Sequence, residues 1–232
     1  ARGEPLAVIE RTAANLGAPL VSISDTYRWR VRESGLTGQV FDCEGPGGFY
    51  EGLRIPLIGR HQVENAGLAV AAIEAARGGG LRVDESAIRL GLATSEWPGR
   101  LQILDERPRI ILDGAHNPAG AQVLAAFLAE HRRELGRLIL VFGVLQDKEW
   151  KAMLAQLAPL ADEIVLTRPP TARAADPALL LSSLSGATRA RIASDIADAL
   201  SLACSVADPP DTILVAGSLF TVAAALDILR AA

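Results

Sequence analysis

A chain of 232 residues, half of them hydrophobic and with a formal charge of only −4, can bury one large core or two smaller ones. That charge is too slight to draw nucleic acid or a membrane surface through an overall field. Two cysteines, Cys43 and Cys204, are too few to staple such a fold and match no metal-binding spacing, and no apolar run reaches membrane-spanning length, so the expected setting is a reducing cytoplasm and the expected partners are small molecules.

The first residues, Ala1-Arg2-Gly3-Glu4, carry neither an initiator methionine nor a signal-peptide core, and the reading is that the sequence starts mid-protein. From Pro5 to Asn15, Leu6, Ile9 and Ala13 recur at helical spacing; Gly17 stops the helix, and Pro19 to Ile23 reads as a strand. Tyr27, Trp29 and Val31 then alternate with Arg28, Arg30 and Arg32. Val40, Phe41, Phe49, Tyr50, Ile55 and Leu57 follow between glycine turns, which predicts two or three antiparallel strands. Val63, Ala66, Val70 and Ile73 mark a helix that closes in Gly78-Gly79-Gly80, and Asp84 caps another running to Ala93.

Trp97-Pro98-Gly99 breaks this period. We place a domain boundary near Glu96, giving domains of 1–96 and 97–232 with a hinge at the break. Beyond it, apolar runs at Ile110 to Leu112, Leu138 to Phe142, Ile164 to Leu166, Ala190 to Ala193 and Ile213 to Ala216 alternate with amphipathic helices. That repetition specifies an α/β domain with a parallel, doubly wound sheet.

In such a sheet ligands bind beyond the carboxyl ends of the strands. The polar residues found there are Asp113, Gly143, Thr167, Ser194 with Asp195, and Gly217 with Ser218. In Ile110-Ile111-Leu112-Asp113-Gly114-Ala115-His116-Asn117-Pro118 a strand ends in a carboxylate, and a helix opens with Asn117 as cap and Pro118 in its first turn. Asp113 can accept from a ligand hydroxyl with His116 beside it; the commoner alternative is a turn whose Asp and Asn merely cap backbone donors. Ser218 opens the last helix, where free N–H groups suit a carboxylate or phosphate. Lys148 and Lys151 are the sole lysines, neither in a phosphate-loop context. Lys148 lies in a strand-to-helix loop and can hold an anion, although a lone loop lysine is usually solvated. Arg100 closes the hinge with a fork suited to phosphate oxygens. His61 can cap its helix, and His131 extends the Leu124/Phe127/Leu128 stripe as a structural or rim residue.

Four segments in one order, Gly59 to Asn65, Pro98 to Arg100, Asp113 to Pro118 and Gly217 to Val222, resemble the folylpolyglutamate synthase/dihydrofolate synthase branch of the Mur-ligase superfamily. The resemblance implies the end of a central ATPase α/β domain with a small antiparallel sheet, followed by a complete Rossmann-like C-terminal domain. It implies ATP held by Asn65, Arg100 and Asp113, with Arg100 and His116 catalytic, and Lys148 and Ser218 on the incoming amino acid. The reaction implied activates a carboxylate of folate or dihydropteroate as an acyl phosphate, which the amine of L-glutamate attacks. The family's phosphate loop, Mg²⁺ ligands and modified lysine have no counterpart in this sequence, so no metal ligand is expected here and catalysis by this chain alone is not expected. A monomer is expected for the full-length enzyme. Two alternatives stay open: a muramyl-peptide ligase, which shares the mechanism, and a stand-alone nucleotide- or amino-acid-binding module. A dehydrogenase is excluded, since no G-x-G-x-x-G follows a strand.

Overall fold

Alternation of arginines with Trp29 and Val31 builds the first sheet. In the computed structural model, which describes residues 3–104, 107–184 and 189–231, the chain divides into two units: the residues through Pro56 with Arg60–Ser95, and Leu57–Gly59 with Glu96 onward. Ala1 and Arg2 lie outside the described residues.

The first unit opens with α1 (Glu4–Leu16), which carries Pro5 in its first turn and ends on left-handed Gly17. The strand expected at Pro19 to Ile23 does not form: this stretch is irregular up to Ser22, and a one-turn helix, α2 (Ile23–Thr26), follows. A strand must ladder its N–H and C=O groups with a neighbour, and among the described residues none runs beside this stretch. The Thr26 hydroxyl instead donates to Ser22 O (2.8 Å), and Tyr27 N donates to Ile23 O (2.9 Å). Strands β1 (Arg28–Gly35), β2 (Gly38–Gly45) and β3 (Gly48–Ile55) form an antiparallel sheet in that order. Its buried residues include Phe41, Cys43, Tyr50 and Leu53. Helix α3 (Arg60–Gly78) crosses β1 where Gly67 admits the Trp29 ring, which would stand 3.0 Å from a Cβ there. Farther along, Glu74 accepts the hydroxyls of Tyr27 (2.6 Å) and Tyr50 (2.7 Å). Burial and the Glu74 charge push both phenols up from their ordinary pKa. Helix α4 (Glu85–Ala93) starts on Asp84, whose carboxylate accepts Ala87 N.

The second unit is a six-stranded sheet. Its strands are β4 (Gln102–Leu104), β5 (Arg109–Asp113), β6 (Leu138–Phe142), β7 (Glu163–Leu166), β8 (Arg189–Ile192) and β9 (Thr212–Ala216), in the order β4-β5-β9-β6-β7-β8. From β5 to β8 every pair is parallel, but β4 is an antiparallel edge strand, so the sheet is mixed rather than wholly parallel. Helices α5 (Pro118–Glu130), α6 (Trp150–Leu157), α7 (Pro177–Ser182), α8 (Ile196–Val206) and α9 (Leu219–Ala231) connect or close the strands. Ile110, Leu112, Ile139, Val141, Ile213 and Val215 share a core with α8 and α9. Alternate residues Ile111, Leu140 and Leu214, equally buried, face the other side by the period of a strand, where α5 packs on α6. Covering both faces makes each strand apolar throughout, as β6 (LILVF) and β9 (TILVA) are. Among the described residues no helix is long and apolar enough to cross a membrane.

Candidate functional site

Because β9 returns between β5 and β6, the chain order reverses there. The loop after β5 leads to α5 on one face, and the loop after β9 leads to α9 on the opposite face. In such sheets this point of divergence at the carboxyl edge is the usual ligand position. Asp113 ends β5 on one side of it; Gly217 and Ser218 follow β9 on the other. Backbones come very close here. Gly217 has φ 109°, and a Cβ on it would stand 2.5 Å from Gly143 O, just past the end of β6. The Thr221 hydroxyl donates to that same carbonyl at 2.7 Å, tying the first turn of α9 to β6.

Asp113 is buried and serves the backbone: one oxygen accepts Ala115 N (2.8 Å) and the other accepts Leu101 N (2.9 Å). Gly114 N in turn donates to Gly99 O at 2.7 Å. The turn carrying Arg100 is thereby fastened to the turn after β5. Arg100 is half-buried and has no ion-pair partner among the described residues. One of its terminal nitrogens would lie 2.8 Å from a Cβ on Gly114. An uncompensated guanidinium held over bare backbone suits phosphate oxygens. His116 Nδ1 lies 2.9 Å from Gly114 O; since a carbonyl only accepts, Nδ1 carries the proton and Nε2 is left for another partner. Asn117 accepts Gly120 N at 2.8 Å and caps α5, with Pro118 next.

Lys148 sits in the loop after β6, its Nζ 3.9 Å from Asp147 Oδ2. Asp147 bonds Arg173 at 2.7 Å, and Gln146 N donates to Arg173 O at 2.8 Å, so the loops after β6 and β7 are joined. Burial opposes ionisation of Asp147, but its own backbone N–H and Arg173 outweigh it and hold the carboxyl below its usual range. Ser218 is buried and accepts Phe220 N at 3.1 Å. Thr167 follows β7 fully buried, its hydroxyl making no hydrogen bond among the described residues.

Five of the six singled-out residues, Arg100, Asp113, His116, Lys148 and Ser218, thus belong to the second unit, and the first three share one fastened pair of turns. Asn65 belongs to the first unit, exposed on α3, where its amide donates to Gln62 Oε1 at 3.0 Å. His131 is buried at the end of α5, its ring 4.7 Å from that of Phe127 and its Nδ1 2.9 Å from Glu134. Sequence reasoning missed Arg173 and Gln102. Arg173 lies 26 positions from Asp147 with no local pattern to pair them, and Gln102 stands in a strand too short to show a period. Among the described residues no cluster of three or more His, Cys, Asp or Glu is placed to hold a metal.

A mixed, doubly wound sheet with a guanidinium and a carboxylate at its switch point defines a Rossmann-like domain. Comparison with known proteins narrows the class. The family described as Mur ligase, glutamate ligase domain, matches residues 99–219, and the chain belongs to that family. The dihydrofolate synthase/folylpolyglutamate synthase of Mycobacterium tuberculosis is 38% identical over 212 residues, covering 84% of this chain and 43% of that protein. The structure of Mycobacterium tuberculosis folylpolyglutamate synthase complexed with ADP and AMPPCP matches with a TM-score of 0.86 at 34% identity, over 96% of this chain and 52% of that one. Escherichia coli FolC in complex with DHPP and ADP matches at 0.83 and 32% identity, over 97% and 51%. The chain therefore spans less than half of that curated relative and about half of the solved chains. Within the superfamily it resembles the C-terminal part of the folylpolyglutamate synthase/dihydrofolate synthase branch.

Proposed function

We propose that this chain supplies the C-terminal share of an ATP-dependent ligase that joins the amine of L-glutamate to a carboxylate of a folate or of dihydropteroate. The observation that carries the reading is the half-buried Arg100 guanidinium without an ion-pair partner among the described residues, held over Gly114 beside Asp113 and His116. In this reading Arg100 takes phosphate oxygens of ATP, Asp113 and Asn65 contribute to nucleotide binding, and His116 offers Nε2 toward the reacting groups. Lys148 and the helix start at Ser218 receive the carboxylates of the amino acid.

The chemistry asks for charge stabilisation and alignment more than for covalent help. A carboxylate oxygen of the acceptor bonds to the γ-phosphorus while the bond to the bridging oxygen breaks and ADP leaves. The glutamate nitrogen then bonds to the acyl carbon, gives up its proton, and the carbon–oxygen bond to phosphate breaks. Charge builds on phosphoryl oxygens in the first step, where a placed guanidinium acts most strongly. Its loss costs about 3 kcal/mol, by analogy with removal of one oxyanion donor. Magnesium binding is not assigned to residues of this chain.

A chimaera tests the proposal: this sequence replaces the matching half of the Mycobacterium tuberculosis relative, and phosphate release is followed. Release that requires ATP, L-glutamate and folate or dihydropteroate together, and that falls more than about 100-fold in Arg100→Ala, is the expected result. A folded chimaera whose phosphate release is indifferent to glutamate and acceptor overturns it.

A further inference from the structure

The turn that presents Arg100 runs against ordinary backbone preference. Gly99 has φ 73°, and two residues later Leu101 has φ 45°, the one non-glycine with positive φ among the described residues. A residue with a Cβ does not rest in that region unless its surroundings over-determine it. Here they do. Leu101 is 2% exposed, its N–H is bound by Asp113, and Gly99 O accepts Gly114 N. The remaining fastening is a side chain: Gln102 Oε1 accepts Gly99 N at 3.0 Å.

Strand β4 explains why Gln102 is there. It pairs antiparallel with β5 in a register that sets Gln102 opposite Leu112. Carried two residues back, that register sets Arg100 opposite Gly114. Arg100 Nη1 and Leu219 Cδ2 would lie 2.8 and 2.4 Å from a Cβ on Gly114, so the guanidinium occupies space that only a glycine leaves open. The three-residue edge strand thus ends in a clamp on the arginine's own turn.

We propose that Gln102 is a positioning residue for Arg100: its side-chain carbonyl locks the left-handed turn through Gly99 N–H and pre-orders the guanidinium over Gly114. An arginine ordered in advance gives up less freedom when an anion arrives, so the lock strengthens binding without touching the ligand. The structural part of this inference is independent of what Arg100 binds; its consequence for affinity rests on the phosphate role proposed above.

The test uses the ¹⁵N-labelled chain, comparing wild type with Gln102→Met and Gln102→Asn, which remove or withdraw the acceptor, and with Gln102→Glu, which retains it. Backbone heteronuclear NOEs at Gly99, Arg100 and Leu101, with that of the Arg100 side-chain Nε, should be high in wild type and Gln102→Glu. They should fall in the other two while β5 and β6 stay rigid. ATP affinity, read from the backbone amide shifts of Gly114 and Ala115, should weaken about tenfold in Gln102→Met and Gln102→Asn. A turn that stays rigid in both disruptive variants overturns the proposal, as does weakened ATP binding with an unchanged turn. If Arg100→Ala binds ATP as wild type does, the phosphate role falls, and the NOEs alone decide the role of Gln102.

Discussion

Replacing Asp113 by Asn changes almost nothing in shape and nearly everything in hydrogen bonding. The wild-type carboxylate accepts Leu101 N at 2.9 Å with one oxygen and Ala115 N at 2.8 Å with the other, and it does so buried. An amide keeps a single oxygen, so one N–H must face an NH₂ group and lose its acceptor. A hydrogen bond to a charged group contributes about 1.5–3 kcal/mol, and a buried orphan donor costs about 1–3 kcal/mol. Asp113→Asn should therefore lose about 2 kcal/mol and Asp113→Ala, which orphans both donors, about 4 kcal/mol. Urea unfolding at constant m-value measures these losses, and amide exchange should show protection falling at Leu101 and Ala115 before the strand interiors. The reasoning fails if the Asn variant unfolds within about 0.5 kcal/mol of wild type, a range typical of surface changes, or if Ala is no worse than Asn.

Thr221→Val keeps the shape of a side chain whose hydroxyl bonds Gly143 O at 2.7 Å; it should lower urea stability by about 1 kcal/mol, and an unchanged midpoint would remove that tie from the account. Iodoacetamide at pH 8 should label the exposed Cys204 in the native chain and spare Cys43, whose thiol is pushed up to about 11 by burial, with the Glu74 charge adding to it; mass spectrometry showing equal labelling rates would contradict this. Asp42 is held below the usual carboxyl range by Gly52 N–H first and, against the opposing effect of burial, by Arg32. A depressed folded-state pKa contributes stability that is complete above the unfolded value of about 4 and is lost as pH falls through the folded value. The stability gap between wild type and Asp42→Asn should accordingly shrink on acidification from pH 6 to pH 2, and a gap constant across urea titrations in that range would refute the linkage.

How much of this was legible in the sequence depended on how local the cause was. The run Leu138 to Phe142 is a strand to the residue, because a strand covered on both faces must be apolar throughout. Asn117-Pro118 marks the start of α5 because cap and first-turn proline act within three residues. Pro19 to Ile23 has a strand's apolar composition, but composition cannot supply a ladder partner. Edge strand β4, three half-buried residues, shows no period. The two oxygens of Asp113 reach Ala115 two residues away and Leu101 twelve away. A cap was therefore readable beforehand in the first bond, and the second emerges only once β4 folds back.

These bonds bear on how the carboxyl edge is held. A parallel sheet alone leaves its carboxyl edge as a row of loops, and loops are the mobile part of a fold. Here the turns are tied to strand ends or to one another: Leu101 N and Ala115 N to Asp113, Gly114 N to Gly99 O, Thr221 to Gly143 O, and Arg173 to Asp147. Apart from the local bond of Ala115 N to Asp113, the ties join segments distant in the chain. β9, inserted between β5 and β6, brings the starts of α5 and α9 to adjacent strands, and the Thr221 bond to Gly143 O depends on that placement. A late strand threaded into the centre of the sheet thus helps to stiffen the edge at which its own helix begins.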